Sequence, residues 1–144
     1  MRNGIPSYSA DSPPIFAPKM VPVPANPKTG RQNNQGFEGL TINRKTQKLY
    51  ALLQSAAIQD TNVSSIASTR RNTRLLEWDL KESKWTGEWV VQLPLYNDTG
   101  NTRIAAQSEM HFLDSTRFLV LARDSNHGYG YNATASLYRQ VSIS

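Results

Sequence analysis

Residues 36–55, GFEGLTINRKTQKLYALLQS, decide how this chain folds, because they return in altered form as residues 107–125, QSEMHFLDSTRFLVLARDS. Each segment opens with a glutamate followed by an alternating apolar run, Leu40 and Ile42 in the first, Met110 and Phe112 in the second. A short polar turn follows (43–48 and 114–117), and then a second strand-like run, LYALLQS or FLVLARDS. Glu38 and Glu109 stand 71 residues apart, while Leu49 and Phe118 stand 69 apart. A repeated hairpin with a polar head on its first strand is the pattern of β-propeller blades. The first strand of a blade lines the central channel. A carboxylate repeated there is expected to point at a shared site, where several carboxylates together bind a hard cation such as Ca²⁺.

Working outward, the whole of residues 36–143 reads as β. Strands are expected at 37–42, 48–54, 73–80, 87–93, 107–113, 117–123 and 135–143, on alternation and on aromatic and β-branched content such as Trp85, Trp89, Val90 and Val91. Residues 79–84 and 114–117 are short enough for hairpin turns. Residues 55–72 and 124–134 read as loops, with a short helical turn at 52–58. This makes one four-stranded blade, 36–93, and about three strands of a second, 105–143. The expected class is therefore all-β: antiparallel propeller-like blades, incomplete at about two. A closed ring takes roughly 4–8 blades, and two blades leave open sheet edges. The chain is expected to be part of a longer propeller that supplies the remaining blades, or a truncated product.

Residues 1–32 form a separate leader ahead of the propeller domain, 33–144. Seven of the eight prolines lie between Pro6 and Pro27. Proline fixes φ and removes a ladder donor, so the leader is expected to be irregular, laid along the domain by Ile15, Phe16 and Val21 as a surface strap. No stretch approaches the roughly 18 apolar residues of a membrane span. The N-terminus also lacks the roughly 7–15-residue apolar core of a signal peptide.

Composition narrows the chemistry. The net charge is +5, but residues 1–48 carry seven Lys/Arg against Asp11 and Glu38, while residues 49–144 carry nine of each sign. The domain is thus not a basic nucleic-acid platform. The absence of cysteine removes disulfides, thiolate metal ligands and a Cys nucleophile. No GxSxG elbow, P-loop or GxGxxG is present, so hydrolysis would have to be metal-assisted. Asn62, Asn97 and Asn132 head Asn-X-Ser/Thr sequons, glycosylation sites if the chain enters a secretory pathway.

Four side chains stand out as site candidates. Glu38 lies between Gly36 and Gly39, which let a ligand or neighbouring strand approach closely. Glu109 shares a strand face with His111, two residues on. Either glutamate is a metal ligand, or it braces a strand start by bonding to backbone. Arg74 and Arg123 offer forks suited to a phosphate or carboxylate. For Arg123 the competing role is an ion pair with Asp124, and His127 follows in a Gly-rich loop.

The segments NNQGFEGLT, LYALLQSAAIQD, RNTRLLEWDL and AAQSEMHFL…RFLVLARDS resemble the phytase-like domain family, described as having esterase-like activity. The resemblance runs from Asn33 to Ile143 and covers part of that family's domain. It implies a secreted protein and Ca²⁺-assisted hydrolysis of a phosphate ester on a small phosphorylated substrate. Glu38 and Glu109 would then hold the metal, with Arg74, inside RNTRLLEWD, and Arg123 meeting the phosphate. A non-catalytic extracellular propeller is the alternative.

Overall fold

The computed structural model describes residues 30–31, 35–61, 71–124 and 136–144. The strap expected of Ile15, Phe16 and Val21, the sequons at Asn62 and Asn132, and His127 lie outside them. The described chain is all-β: β1 (Phe37–Asn43), β2 (Lys48–Leu53), β3 (Asn72–Asp79), β4 (Lys84–Gln92), β5 (Leu95–Asp98), β6 (Asn101–Ile104), β7 (Ala106–Asp114), β8 (Arg117–Arg123) and β9 (Arg139–Ile143). β1-β2-β3-β4 form one antiparallel meander, β7-β8-β9 a second, and β5-β6 a separate hairpin between them. These are the two blades the sequence implied, with four strands in the first and three in the second. The β5–β6 hairpin was not anticipated. The helical turn expected at 52–58 is displaced to a 3₁₀ turn at Ile58–Asp60, because Leu52 and Leu53 remain in β2.

The hairpin turns follow from local side-chain chemistry. Asn43 Oδ1 accepts from the backbone N–H groups of Lys45 and Thr46 at 3.0 and 3.3 Å. Asp79 Oδ1 repeats the device at the β3–β4 turn, accepting from Lys81 and Glu82 at 2.8 and 3.0 Å. Such Asx turns set the reversal before the ladder forms. Each of these loops ends on a residue in the left-handed region, Gln47 (φ 60°) and Ser83 (φ 51°). In the β5–β6 turn Thr99 and Gly100 both have positive φ, the requirement of a tight two-residue hairpin.

The two blades stack face to face through β1 and β7, the edge strand of each sheet. Phe112 N–H donates to Thr41 Oγ1 at 3.0 Å, and Gln107 donates through its backbone to Gln54 O at 3.2 Å and through Nε2 to Leu52 O at 2.7 Å. Gly39 permits the close approach: a Cβ there would stand 2.8 Å from Met110 Cβ. Between the blades lies the main core, Tyr50, Leu52 and Leu75 from the first with Met110, Phe118 and Val120 from the second. Tyr50 meets Phe118 edge-on at 4.9 Å between centroids, and Phe112 meets Phe118 edge-on at 5.5 Å, geometries that aromatic quadrupoles favour. A smaller cluster of Tyr96, Ala105 and Ala122, with Tyr138 stacked on Tyr96, ties β5 to the second blade.

Candidate functional site at the inner strands

β1 and β7 are the innermost strands, side by side, and each enters its sheet through a bulge. In β1 the register breaks between Phe37 and Gly39, leaving Glu38 as the extra residue; in β7 it breaks between Gln107 and Glu109, leaving Ser108. Bulges re-aim side chains and recur beside active sites. Both glutamates are exposed. They are not equivalent, however. Gly39 pairs with Leu52 as Glu109 pairs with Leu121, and Leu52 and Leu121 correspond through the second strands. The structural partner of Glu109 is therefore Gly39, and that of Glu38 is Ser108. The equal register read from the two glutamates is corrected by one residue, because β7 carries a second bulge, between Phe112 and Asp114, that β1 lacks.

Glu109 Oε1 accepts from the Met110 backbone N–H at 2.8 Å, the bracing role. Among the described residues no group of three or more His, Asp or Glu side chains is assembled to hold a metal. Two carboxylates fall well short of the six to eight or so oxygen ligands that Ca²⁺ takes. The described residues alone thus do not form a calcium cage. His111 lies with Ile42, Arg44, Lys45, Leu113 and Asp114 around a shallow groove of about 740 Å³ between the two hairpin ends.

The two arginines are placed differently. Arg74 is clamped by two carboxylates: Nε and Nη2 meet Asp60 at 2.5 Å each, and Nη1 meets Glu88. The hydrogen bond to Asp60, ahead of that to Glu88, raises its pKa, opposed by partial desolvation. Arg123 donates to the Asp124 backbone carbonyl at 3.0 Å. The Asp124 carboxylate, 1% exposed, turns instead to the returning chain, accepting from Ser136 Oγ at 3.1 Å, Tyr138 N–H at 3.1 Å and Leu137 N–H. The aspartate, not an Arg–Asp pair, ties the end of β8 to residues 136–138. Asn97 sits exposed at the end of β5, its Oδ1 accepting from Gly100 N–H at 2.9 Å.

One polar network escaped the sequence reading. On the inter-blade face Lys48 Nζ contacts Asp79 at 2.9 Å, Glu77 at 3.1 Å and Thr86 Oγ1 at 3.1 Å. Burial pulls the Glu77 carboxyl up, but hydrogen bonds from Thr86, Lys48 and Tyr50 outweigh it and leave the group below its ordinary value. Burial, reinforced by Glu77, pushes the Tyr50 phenol up to about 12. Tyr50 and Glu77 line a largely apolar cleft of about 560 Å³ with Leu75, Trp89, Phe118 and Val120. The available signal was cross-strand pairing, since Lys48–Asp79 and Tyr50–Glu77 are direct neighbours. Recognising it needs the β2–β3 register, which the long intervening loop conceals.

Stacked antiparallel meanders with adjacent inner strands define an incomplete propeller-like protein. The profile of the phytase-like family, "Esterase-like activity of phytase", matches residues 7–143, and the chain belongs to that family. It is 44% identical over 150 residues to an uncharacterized secreted protein of Arthroderma benhamiae. That alignment covers 99% of this chain and 29% of the relative's length. No solved structure matches the chain.

Proposed function

We propose that this chain is a two-blade unit of a secreted phytase-like propeller that hydrolyses phosphate esters at its channel with the help of a divalent cation. The observation that carries the reading is the pair of adjacent, bulged inner strands, each presenting an exposed glutamate, Glu38 from the bulge of β1 and Glu109 from the face of β7 that turns away from the first blade. Calcium is the cation that hard carboxylate ligands favour, with the rest of its shell contributed by further blades. Phosphate recognition is assigned first to Arg123, which bonds to a backbone carbonyl. Arg74 would take part only by exchanging Glu88 for phosphate. Secretion follows the fungal relative, and Asn97 offers an exposed acceptor for glycosylation. The second reading, a non-catalytic extracellular propeller, is favoured by the Glu109 carboxylate's bond to its own strand.

Calcium titration of the protein with its remaining blades separates the two. A ligand at about 100 times its Kd stabilises the native state by roughly 2.7 kcal/mol, worth a few degrees or so in the thermal midpoint of a protein of that size. The double variant Glu38→Gln, Glu109→Gln should lose that rise while keeping its far-UV spectrum, and calcium-dependent turnover of a phosphomonoester should vanish with it. A parent protein indifferent to calcium, or a double variant that responds equally, returns both glutamates to bracing.

A further inference from the structure

We propose that the groove between the β1–β2 and β7–β8 turns binds a phosphate group, held by Arg44 and Lys45 with His111 beside them. All three line the groove, together with Asp114 and Ser115. The acids at this end of the blades are already matched. Asp114 accepts from Arg117 Nε at 2.8 Å, Glu82 meets Lys84 at 2.5 Å, and Glu77 and Asp79 share Lys48. Among the described residues no carboxylate pairs with Arg44 or Lys45. With Asp114 neutralised by Arg117, the groove therefore holds two uncompensated positive charges before His111 is counted. An arginine fork beside a lysine is suited to a phosphate group, the first for paired hydrogen bonds and the second as a point charge.

The backbone fixes these side chains in place. Asn43 Oδ1 accepts from Lys45 N–H at 3.0 Å, and Gln47 Nε2 donates to Arg44 O at 2.8 Å, so the turn that carries both cations is internally braced. Across the groove, β7 has the bulge that β1 lacks, between Phe112 and Asp114. Its extra residue, Leu113, has no partner in the ladder and lines the groove. Further blades would pack on the faces of the sheets. Arg44, Lys45 and Ser115 stand in turns at the strand ends and belong to neither face. Six residues, about 20 Å of extended chain at roughly 3.3 Å each, separate Arg44 from Glu38. The groove is thus a site apart from the glutamates and does not rest on the calcium reading.

The test uses the protein with its remaining blades, labelled on histidine, in chelator at about pH 8, where a phosphomonoester is dianionic. It is titrated with inorganic phosphate and, separately, with phenyl phosphate, the ionic strength held constant with chloride. The His111 ring resonance, identified by its loss in His111→Gln, should shift saturably, and the arm that binds more tightly tells free phosphate from an ester. Arg44→Gln with Lys45→Gln should weaken binding about 10-fold or more, since charge-assisted contacts are lost. Lys81→Gln with Lys84→Gln, an equal change of charge on the β3–β4 turn outside the groove, should weaken it far less. All four side chains are exposed, so each variant should keep the wild-type circular dichroism. A His111 signal that neither anion moves overturns the proposal, as does a shift that never saturates. Equal weakening by the two pairs also overturns it, because the attraction would then belong to the surface at large. The chelator keeps calcium out of every arm, so failure of the calcium reading would leave these readouts unmoved.

Discussion

Gly39→Ala tests the adjacency of the inner strands more directly than any deletion in the core. A single methyl added at Gly39 would meet Met110 Cβ at 2.8 Å, Gln107 Oε1 at 3.0 Å and the Met110 backbone N at 3.3 Å. Carbon–carbon contacts are comfortable at roughly 3.5–4.0 Å. The two strands would therefore have to part by most of an ångström, or the Phe112–Thr41 and Gln107–Gln54 hydrogen bonds beside them would have to stretch. Overpacking of this kind costs about 1–3 kcal/mol. Against it stands the loss of glycine's unfolded-state entropy, a gain of roughly 0.4–1 kcal/mol. The expected net is a destabilisation of about 1–2 kcal/mol. Urea denaturation should show a lower midpoint with an unchanged slope, since the surface exposed on unfolding is the same. In a Met110→Gly background the opposing Cβ is gone, and the added methyl should cost clearly less than in the wild type, its contacts with Gln107 Oε1 and the backbone N of position 110 remaining. If Gly39→Ala stabilises the wild type, β1 does not lie against β7 and the stacking of the blades is wrong.

Three further outcomes follow from other parts of the structure. The Tyr50 phenol, pushed up to about 12, should deprotonate about two pH units above the ordinary phenol value of roughly 10 in an ultraviolet titration; because its neutral form is the one the fold prefers, its contribution to stability is complete below pH ~10 and disappears as the pH climbs towards 12. A titration from which Tyr50→Phe removes a phenol of ordinary value would mean Tyr50 is not in the inter-blade core. Asp124→Ala leaves the Leu137 and Tyr138 N–H groups without their acceptor and should cost about 2–4 kcal/mol, while Asp124→Asn, which keeps one oxygen, should lose clearly less; equal losses measured by thermal melts would discount the aspartate's role as the tie between β8 and residues 136–138. Expressed through a eukaryotic secretory pathway, the chain should gain glycan mass at Asn97 that Thr99→Ala removes, and unmodified Asn97 would remove the support it lends to secretion.

The strands of both blades were legible because apolar alternation and hairpin turns are local signals. β1, β2, β7 and β8 fall within a residue or so of their expected bounds. The β5–β6 hairpin was not legible. Leu95–Asp98 and Asn101–Ile104 are four residues each, and Asn and Asp are depleted in strands. The site was harder to read than the fold. Aligning the repeats on their glutamates hid the second bulge in β7, and a shift of one residue along a strand changes the face a side chain takes. Arg74 was singled out by its place in RNTRLLEWD, and its clamp was not legible there, since Asp60 and Glu88 lie 14 residues away on either side. Only the β3–β4 register and the turn at Ile58–Asp60 bring them together.

The meander within each blade also determines the order in which the molecule can assemble. Every strand of a sheet pairs with its neighbour in sequence, and the β1–β2, β3–β4 and β7–β8 connections close over a few residues. The bond from Phe112 to Thr41 spans 71 residues, and that from Gln107 to Leu52 spans 55. Closing a long loop costs more entropy than closing a hairpin, and it is repaid only once both surfaces exist. Each blade therefore condenses as a local unit, the first while the second is still being synthesised, and docking of the two comes last. Until then the Tyr50–Leu52–Leu75 face is open to solvent. That makes the interval before docking the period in which a nascent chain is most exposed to the wrong partner.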